Sequence, residues 1–231
     1  MQINGLNKTT LLDYPKHLAA TIFIGGCNFR CPFCHNASLV LDSKSQPNIP
    51  IDEVLSFLQK RRGILEGVCI TGGEPTLYKE LPDFIHKIKS LGYRVKLDTN
   101  GSNPTMLKDL VDKHLIDYVA MDIKNSKKHY PMSIGISNYT MENIEKSVSY
   151  LLSEPIDYEF RTTIVEEHHS EEDIISIGQW IKGARAYYLQ AYVDSGDIIT
   201  PGLHGHSKDT LLHYVQLLTP YVSKVSLRGI N

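Results

Sequence analysis

Long apolar runs and an excess of positive charge are both missing from this sequence of 231 residues. No stretch reaches the ~18 apolar residues of a membrane-spanning helix, and the first residues lack the apolar segment and cleavage site of a secretory signal. The 24 Lys and Arg residues against 26 Asp and Glu give a formal net charge of −2. These absences argue against membrane insertion and against a nucleic-acid-binding surface. We expect a cytoplasmic protein with neither a membrane nor a nucleic acid among its partners.

Cysteine is scarce as well, and its distribution is uneven. Three of the four cysteines, Cys27, Cys31 and Cys34, fall within eight residues as C-x3-C-x2-C, directly after an apolar run at residues 19–25. Clustered cysteines in an intracellular chain signal metal or redox chemistry more often than disulfides, and thiolates are the ligands of iron–sulfur clusters. The fourth, Cys69, lies among apolar neighbours, and we interpret it as a small buried hydrophobic residue.

A 4Fe–4S cluster held by the three clustered cysteines is the favoured interpretation. Three thiolates bind three of its irons and leave the fourth open, as catalytic metal sites keep one position vacant. A structural zinc site completed by His35, a disulfide with one odd thiol, and ordinary buried cysteines are the alternatives. Zinc is disfavoured because Cys34 and His35 are adjacent and their side chains diverge, and the disulfide would suit a secreted protein better.

Strand-like and helix-like segments alternate six times along the chain. This βαβ pattern predicts an α/β fold with a parallel sheet and right-handed crossovers. A complete barrel takes about 250 residues, so a partial TIM-like barrel of six units, (β/α)6, fits better, as a single domain over residues 1–231. The polar segment 124–138 is predicted to be a loop. Strands are predicted at residues 19–25, 66–71, 93–99, 116–123, 157–165, 185–193 and 224–228, and helices from residue 51 and at residues 81–91, 104–114, 141–153, 171–182 and 208–218.

Four of the predicted strands, at residues 93–99, 116–123, 157–165 and 185–193, alternate polar with apolar side chains. Glu159, Arg161 and Thr163 share one face of a strand, and Lys96 and Asp98 share one face of another. A strand covered by helices on both faces has apolar residues on both faces. Edge strands facing water could explain one or two such patterns but not four. We therefore predict a polar lumen, with ligands bound at the C-terminal ends of the strands.

The segment C-N-F-R-C-P-F-C-H-N resembles the signature of the radical S-adenosylmethionine (SAM) superfamily. Its Cys-His-Asn ending is similar to the activating enzymes of glycyl-radical enzymes, and the opening G-L-N-K-T-T-L-L-D-Y-P resembles anaerobic ribonucleoside-triphosphate reductase activating proteins. The resemblance implies an open (β/α)6 partial barrel. It also implies that SAM chelates the open iron of the cluster, whose electron cleaves the sulfonium to a 5′-deoxyadenosyl radical.

Three further motifs resemble the cofactor contacts of that superfamily. These are G-G-E-P at residues 72–75, L-D-T-N-G at 97–101 and M-D-I-K at 121–124. Arg161 is a candidate partner for the cofactor carboxylate, with a salt bridge to Glu159 or Asp122 as its alternative role. The resemblance also implies a monovalent-cation site. Its ligands would be the two motif aspartates, Thr99 and the Met121 carbonyl. The candidate cofactor-binding residues are Phe33, Gly72, Gly73, Glu74, Asp98, Asn100, Asp122, Lys124 and Arg161.

The resemblance implies a partner as well as cofactors. The substrate of such an activating enzyme would be a glycine Cα–H on a large glycyl-radical enzyme, namely an anaerobic ribonucleotide reductase. The electron donor would be of the flavodoxin or ferredoxin type. No catalytic residue is expected beyond the cluster and SAM. One alternative is a radical SAM enzyme acting on a small molecule, similar to 7-carboxy-7-deazaguanine synthase. Another is a non-catalytic iron–sulfur or zinc module. Four histidines in polar loops are predicted to face solvent or a partner: His168, His169, His204 and His206.

Overall fold

The computed structural model describes residues 1–230 and contains one sheet of eight strands: β1 (Ile3–Thr10), β2 (Ala19–Ile24), β3 (Gly67–Gly72), β4 (Arg94–Thr99), β5 (Tyr118–Asp122), β6 (Asp157–Ile164), β7 (Tyr187–Ala191) and β8 (Val225–Arg228). The strands are arranged in chain order. β1 runs antiparallel to β2, and each later pair of neighbours is parallel. β1 and β8 form the two edges, so the sheet curves without closing.

Helices cover the outer face of this sheet. They are α1 (Ala37–Leu41), α2 (Ile51–Lys60), α3 (Leu81–Ser90), α4 (Pro104–Asp112), α5 (Tyr130–Ser133), α6 (Glu142–Leu152), α7 (Glu171–Trp180) and α8 (Lys208–Leu218), with a 3₁₀ turn at Pro75–Leu77. Each strand from β2 to β7 is followed by one or two of them. The predicted (β/α)6 partial barrel is therefore confirmed, with β1 and β8 added at its edges.

The two faces of the inner strands differ as predicted. In β4, Val95 and Leu97 are fully buried in the apolar core that also contains Ile85 of α3. Burying each such side chain stabilises the fold by about 1.5–3 kcal/mol. Lys96 lies between them and points to the opposite face, where its ammonium pairs with Asp98. The inner face of the sheet is thus the predicted polar lumen.

Three features differ from the sequence-based expectation, and the first is the short helix α1, which was not predicted. β1 was not predicted, because Gly5 and the polar residues after it show no strand alternation; its conformation comes from pairing with β2, which places Ile3 opposite Ile24. The segment 124–138, predicted as a loop, contains the short helix α5. No helix within residues 1–230 has both the length and the apolar character needed to cross a membrane.

Candidate functional site

The cysteine loop, residues 25–36, leaves the C-terminal end of β2. It packs against Gly72 and Gly73, at the C-terminal end of β3. The Glu74 amide donates to the Gly26 carbonyl at 2.8 Å, and the Gly73 amide donates to the Ile24 carbonyl at 2.7 Å. A Cβ atom on Gly73 would lie 1.9 Å from the Gly26 carbonyl oxygen. Only glycine permits this approach, and the contact fixes the cysteine loop over the end of the sheet.

A cavity of about 220 Å³ lies at this end of the sheet. All three clustered cysteines line it, together with eight of the nine candidate cofactor-binding residues; Glu74 is the exception. Thr71 lines it as well, although no sequence pattern singles it out. The candidates that meet in the cavity are Phe33, Gly72, Gly73, Asp98, Asn100, Asp122, Lys124 and Arg161. Motifs spread over more than 120 residues of sequence are therefore gathered around one space.

The three clustered thiols suit an iron–sulfur cluster by their chemistry. They form no disulfide. Burial raises the pKa of Cys27 to about 11 and that of Cys31 to about 12, and it also raises the pKa of Cys34. The free thiols are therefore protonated at neutral pH, and their thiolates require a bound metal in such a buried place. Three thiols from one loop, opening onto a polar cavity, fit a 4Fe–4S cluster with one iron left open.

His35 does not join these thiols. Its Nε2 lies 2.9 Å from the carbonyl oxygen of Val193, and its ring stacks on Tyr192 with centroids 5.4 Å apart. Cys34 and His35 therefore diverge, as their adjacency indicated. Within residues 1–230, no three His, Cys, Asp or Glu side chains converge on the position of a single metal ion.

Five charged side chains of alternating sign form a series of ion pairs on the inner face of the sheet, and all but Lys96 line the cavity. Lys96 pairs with Asp98, Asp98 with Arg161 at 3.1 Å, Arg161 with Asp122 at 3.0 Å, and Asp122 with Lys124 at 3.0 Å. Burial alone would raise the pKa of Asp122, but Arg161 and Lys124 hold that pKa at about 2. The pKa of Lys124 is raised, since Asp122 outweighs the opposing effect of burial. This array of fixed charges suits a zwitterionic ligand.

Glu74 is the one candidate that the structure places elsewhere. Its place in the G-G-E-P motif made Glu74 a candidate cofactor-binding residue. Instead it is completely buried and accepts hydrogen bonds from the Thr76 amide, the Thr99 hydroxyl and the Asn100 amide, at 3.1, 2.7 and 2.6 Å. The tight turn after β3 directs the side chain away from the cavity and toward the next loop. Only the glycines of G-G-E-P line the cavity.

Two histidines that were expected at the surface are buried instead. His169 is 1% exposed and His168 is 9% exposed, and both rings pack edge-on against Phe33, with centroids 5.9 and 5.2 Å away. The Nε2 of His169 lies 2.9 Å from the Lys124 carbonyl oxygen. Polar residues in a loop carry no signal of burial, so the sequence could not indicate this support. His204 is exposed, as predicted.

The match to a known protein family agrees with this geometry. The family model of the radical SAM superfamily matches residues 21–181. The chain belongs to the radical SAM superfamily. Radical SAM proteins are enzymes that use a 4Fe–4S cluster and SAM, so the predicted enzyme class and both cofactors are confirmed. The alternative of a non-catalytic iron–sulfur or zinc module is wrong.

Individual radical SAM proteins support the same conclusion. A candidate glycyl-radical enzyme activating enzyme of Methanocaldococcus jannaschii is 30% identical over 235 residues, covering 99% of this chain and 96% of that protein. The crystal structure of a domain of pyruvate-formate lyase-activating enzyme from Bacteroides vulgatus superposes with a TM-score of 0.58 at 18% identity, over 71% of this chain and 99% of the other. SuiB of Streptococcus suis bound to SAM gives a TM-score of 0.69 at 15% identity, over 91% and 52%. The two structures share the partial-barrel fold.

Proposed function

We propose that this protein is the activating enzyme of a glycyl-radical enzyme, with an anaerobic ribonucleotide reductase as its partner. A relative that matches almost its whole length is a candidate glycyl-radical enzyme activating enzyme, which supports the proposal. The protein works in the cytoplasm and receives its electron from a flavodoxin- or ferredoxin-type donor. When bound, the cluster and SAM would supply reductive cleavage of the sulfonium with one electron from that donor, and thereby the means to remove a hydrogen atom from the partner's glycine.

The chain's own residues hold and orient these groups. Cys27, Cys31 and Cys34 bind three irons. The ammonium of Lys124, held by Asp122 beside the cysteine loop, receives the SAM carboxylate. The remaining cavity residues orient the rest of the cofactor: the carbonyls of Gly72 and Gly73 accept from its amine, while Asp98, Asn100 and Arg161 surround its polar groups. Phe33 is 4% exposed and excludes water on the adenosyl side.

The rim of the cavity carries the observation that favours a protein substrate. Four of the large apolar residues that remain exposed follow the C-terminal ends of β2, β3, β5 and β7, which is the end where the cavity opens. Leu41, Leu77, Met132 and Val193 are 44–63% exposed. A contiguous apolar patch marks contact with another macromolecule, and we infer that these residues form one around the opening, whereas a small molecule would need only the interior. We call these four residues the apolar rim.

Electron spin resonance tests the proposal. Reconstituted, reduced protein with SAM is mixed with the anaerobic ribonucleotide reductase of the same organism, and a glycyl doublet is expected. A glycyl doublet with another glycyl-radical enzyme only would correct the partner. Formation of 5′-deoxyadenosine without a glycyl signal from any such enzyme would favour a small-molecule substrate instead.

The apolar rim provides a sharper version of this experiment. Met132→Glu should lower the yield of glycyl radical per 5′-deoxyadenosine formed, because a buried charge weakens the protein–protein contact. Leu212→Glu is the matched control, since Leu212 is also 44% exposed but lies on α8. Equal ratios for the two variants would contradict the role of the rim.

A further inference from the structure

The predicted monovalent-cation site does not match the geometry of its ligands. Such a site needs the carboxylates of Asp98 and Asp122 to share one open position with Thr99 and the Met121 carbonyl. Instead, the guanidinium of Arg161 lies between the two carboxylates. Its Nη1 donates to Asp98 Oδ2 at 3.1 Å and its Nε donates to Asp122 Oδ1 at 3.0 Å. Both carboxylates therefore already have a buried positive partner.

Strand register fixes this arrangement. Arg161 of β6 lies directly beside Asp122 of β5 in the parallel ladder, while Asp98 lies one strand further along, on β4, opposite Ala120. The long arginine side chain passes Asp122 and reaches Asp98 across the inner face. Arg161 is only 13% exposed, so its guanidinium has little freedom to move elsewhere.

The side chain of Thr99, the third expected ligand, points away from the lumen. Thr99 lies on the opposite face of β4 from Asp98, because alternate residues of a strand point to opposite faces. Its hydroxyl donates to Glu74 at 2.7 Å and accepts from the Gly101 amide at 3.1 Å. The hydroxyl is thus committed to the link between two loops, although Thr99 also lines the cavity, and Asp98 and Asp122 are the side-chain ligands that face the lumen.

Occupancy of the carboxylate oxygens points the same way. All four oxygens of Asp98 and Asp122 already accept from a cationic side chain, from Lys96 and Arg161 at Asp98 and from Arg161 and Lys124 at Asp122. A metal ion would have to displace one of these cations and leave it buried without a partner, which is unfavourable.

We propose that Arg161 serves as a built-in cation in this enzyme and makes its binding of SAM independent of sodium and potassium. The guanidinium neutralises the two aspartates and holds them in position for the cofactor. This inference rests on membership of the radical SAM superfamily and not on the identity of the partner enzyme, so its test needs no partner.

Calorimetric titration of the cluster-loaded protein with SAM tests this inference in sodium, potassium and tetramethylammonium chloride at equal ionic strength. Wild-type affinity should agree within about twofold in the three salts. Arg161→Gln should bind at least about fivefold more weakly in tetramethylammonium than in potassium, the lower range of coupling between two ligands. Arg185→Gln, which removes an exposed arginine, is the control for lost charge and should behave as the wild type does.

Thermal unfolding without SAM gives a second readout. Potassium should raise the Tm of Arg161→Gln relative to tetramethylammonium and leave the wild-type Tm unchanged. Wild-type affinity that falls at least about fivefold without sodium and potassium would overturn the proposal. So would an Arg161→Gln protein that is indifferent to the salt. If Arg161→Gln does not fold, the wild-type salt series decides alone, since the proposal requires its independence of both metal ions.

Discussion

The carboxylate of Glu74 accepts a hydrogen bond of 2.6 Å from the backbone amide of Asn100. Glu74 follows β3 and Asn100 follows β4, so this bond joins two loops that line the cofactor cavity. The Thr99 hydroxyl adds a second link at 2.7 Å. Glu74 therefore acts as a buried brace between Gly73, which approaches the cysteine loop, and Asn100, whose side chain amide lies 3.9 Å from the Cys27 sulfur.

Glu74→Gln should weaken this brace. The glutamine amide places an N–H group where the carboxylate accepts, so one buried donor loses its partner. The free energy of unfolding should fall by about 1–3 kcal/mol, and SAM should bind more weakly. Urea unfolding and calorimetric titration measure the two effects. Glu145→Gln, which removes an exposed partner of Lys127, should change neither, and equal stability of the two variants would refute the brace.

His169 gives a prediction about pH. Burial lowers the pKa of His169 to about 4, whereas an unfolded histidine titrates near about 6.5. The unfolded chain thus binds a proton first as pH falls. The stabilisation from keeping His169 neutral is complete above about pH 6.5 and is lost toward about pH 4, a loss of about 3 kcal/mol. His169→Gln removes this titration, so its stability should fall less between those pH values. Parallel stability curves for the two proteins would contradict this assignment.

The same histidine should affect the cofactor site. Its Nε2 contacts the backbone carbonyl of Lys124 at 2.9 Å, and its ring supports Phe33. His169→Leu removes the donor, whereas His169→Gln keeps an N–H group of similar reach. We expect weaker SAM binding for His169→Leu at pH 7.5 and substantial recovery for His169→Gln. Calorimetric titration with SAM separates the two, and equal affinities would show that the hydrogen bond is unimportant.

Asp197 caps the short helix α1 from a distant part of the chain. Its carboxylate accepts from the Ser38 amide at 3.0 Å and from the Ser38 hydroxyl at 2.8 Å. The local N-cap residue Asn36 makes no side-chain bond to the helix, since its side-chain amide donates to the Gly72 carbonyl instead. Asp197→Ala should cost about 1 kcal/mol of stability and should speed loss of the cluster in air, because α1 directly follows the cysteine loop. Asp194→Ala, whose carboxylate accepts only the nearby Gly196 amide among residues 1–230, is the control. Identical rates of bleaching would exclude this role.

The cysteines should divide sharply into two classes. Replacing Cys27, Cys31 or Cys34 by alanine should abolish the cluster, because each supplies one of the three protein ligands. Cys69→Ala should retain it, since Cys69 is completely buried in β3 and lies 3.7 Å from the ammonium of Lys96, outside the cavity lining. Iron and sulfide content after anaerobic reconstitution measures both. Loss of iron from Cys69→Ala would overturn this division.

Sequence pattern predicted the parts of this site that depend on strand periodicity. Arg161 and Asp98 were placed on the lumen side because residues two apart share a face, and the structure has them in contact. The position of Gly73 directly after a strand likewise predicted that it lies at the cavity. The same reasoning could not give the direction of Glu74, because a tight turn has no fixed period.

Contacts between segments that are distant in the sequence could not be predicted either. His169 lies in a polar loop, and its burial depends on Phe33, more than a hundred residues away. β1 becomes a strand only because β2 offers an edge, since Gly5 and its polar neighbours favour no regular structure. Such features depend on tertiary packing, which local patterns do not encode.

Formation of 5′-deoxyadenosine is the most direct test of the cavity as a SAM-cleaving site. Reconstituted protein, reduced with dithionite and given SAM, should release this nucleoside, and Cys69→Ala should do so as well. Cys31→Ala should release none. Wild-type protein that carries an intact 4Fe–4S cluster and binds SAM, yet releases no 5′-deoxyadenosine, would contradict the account.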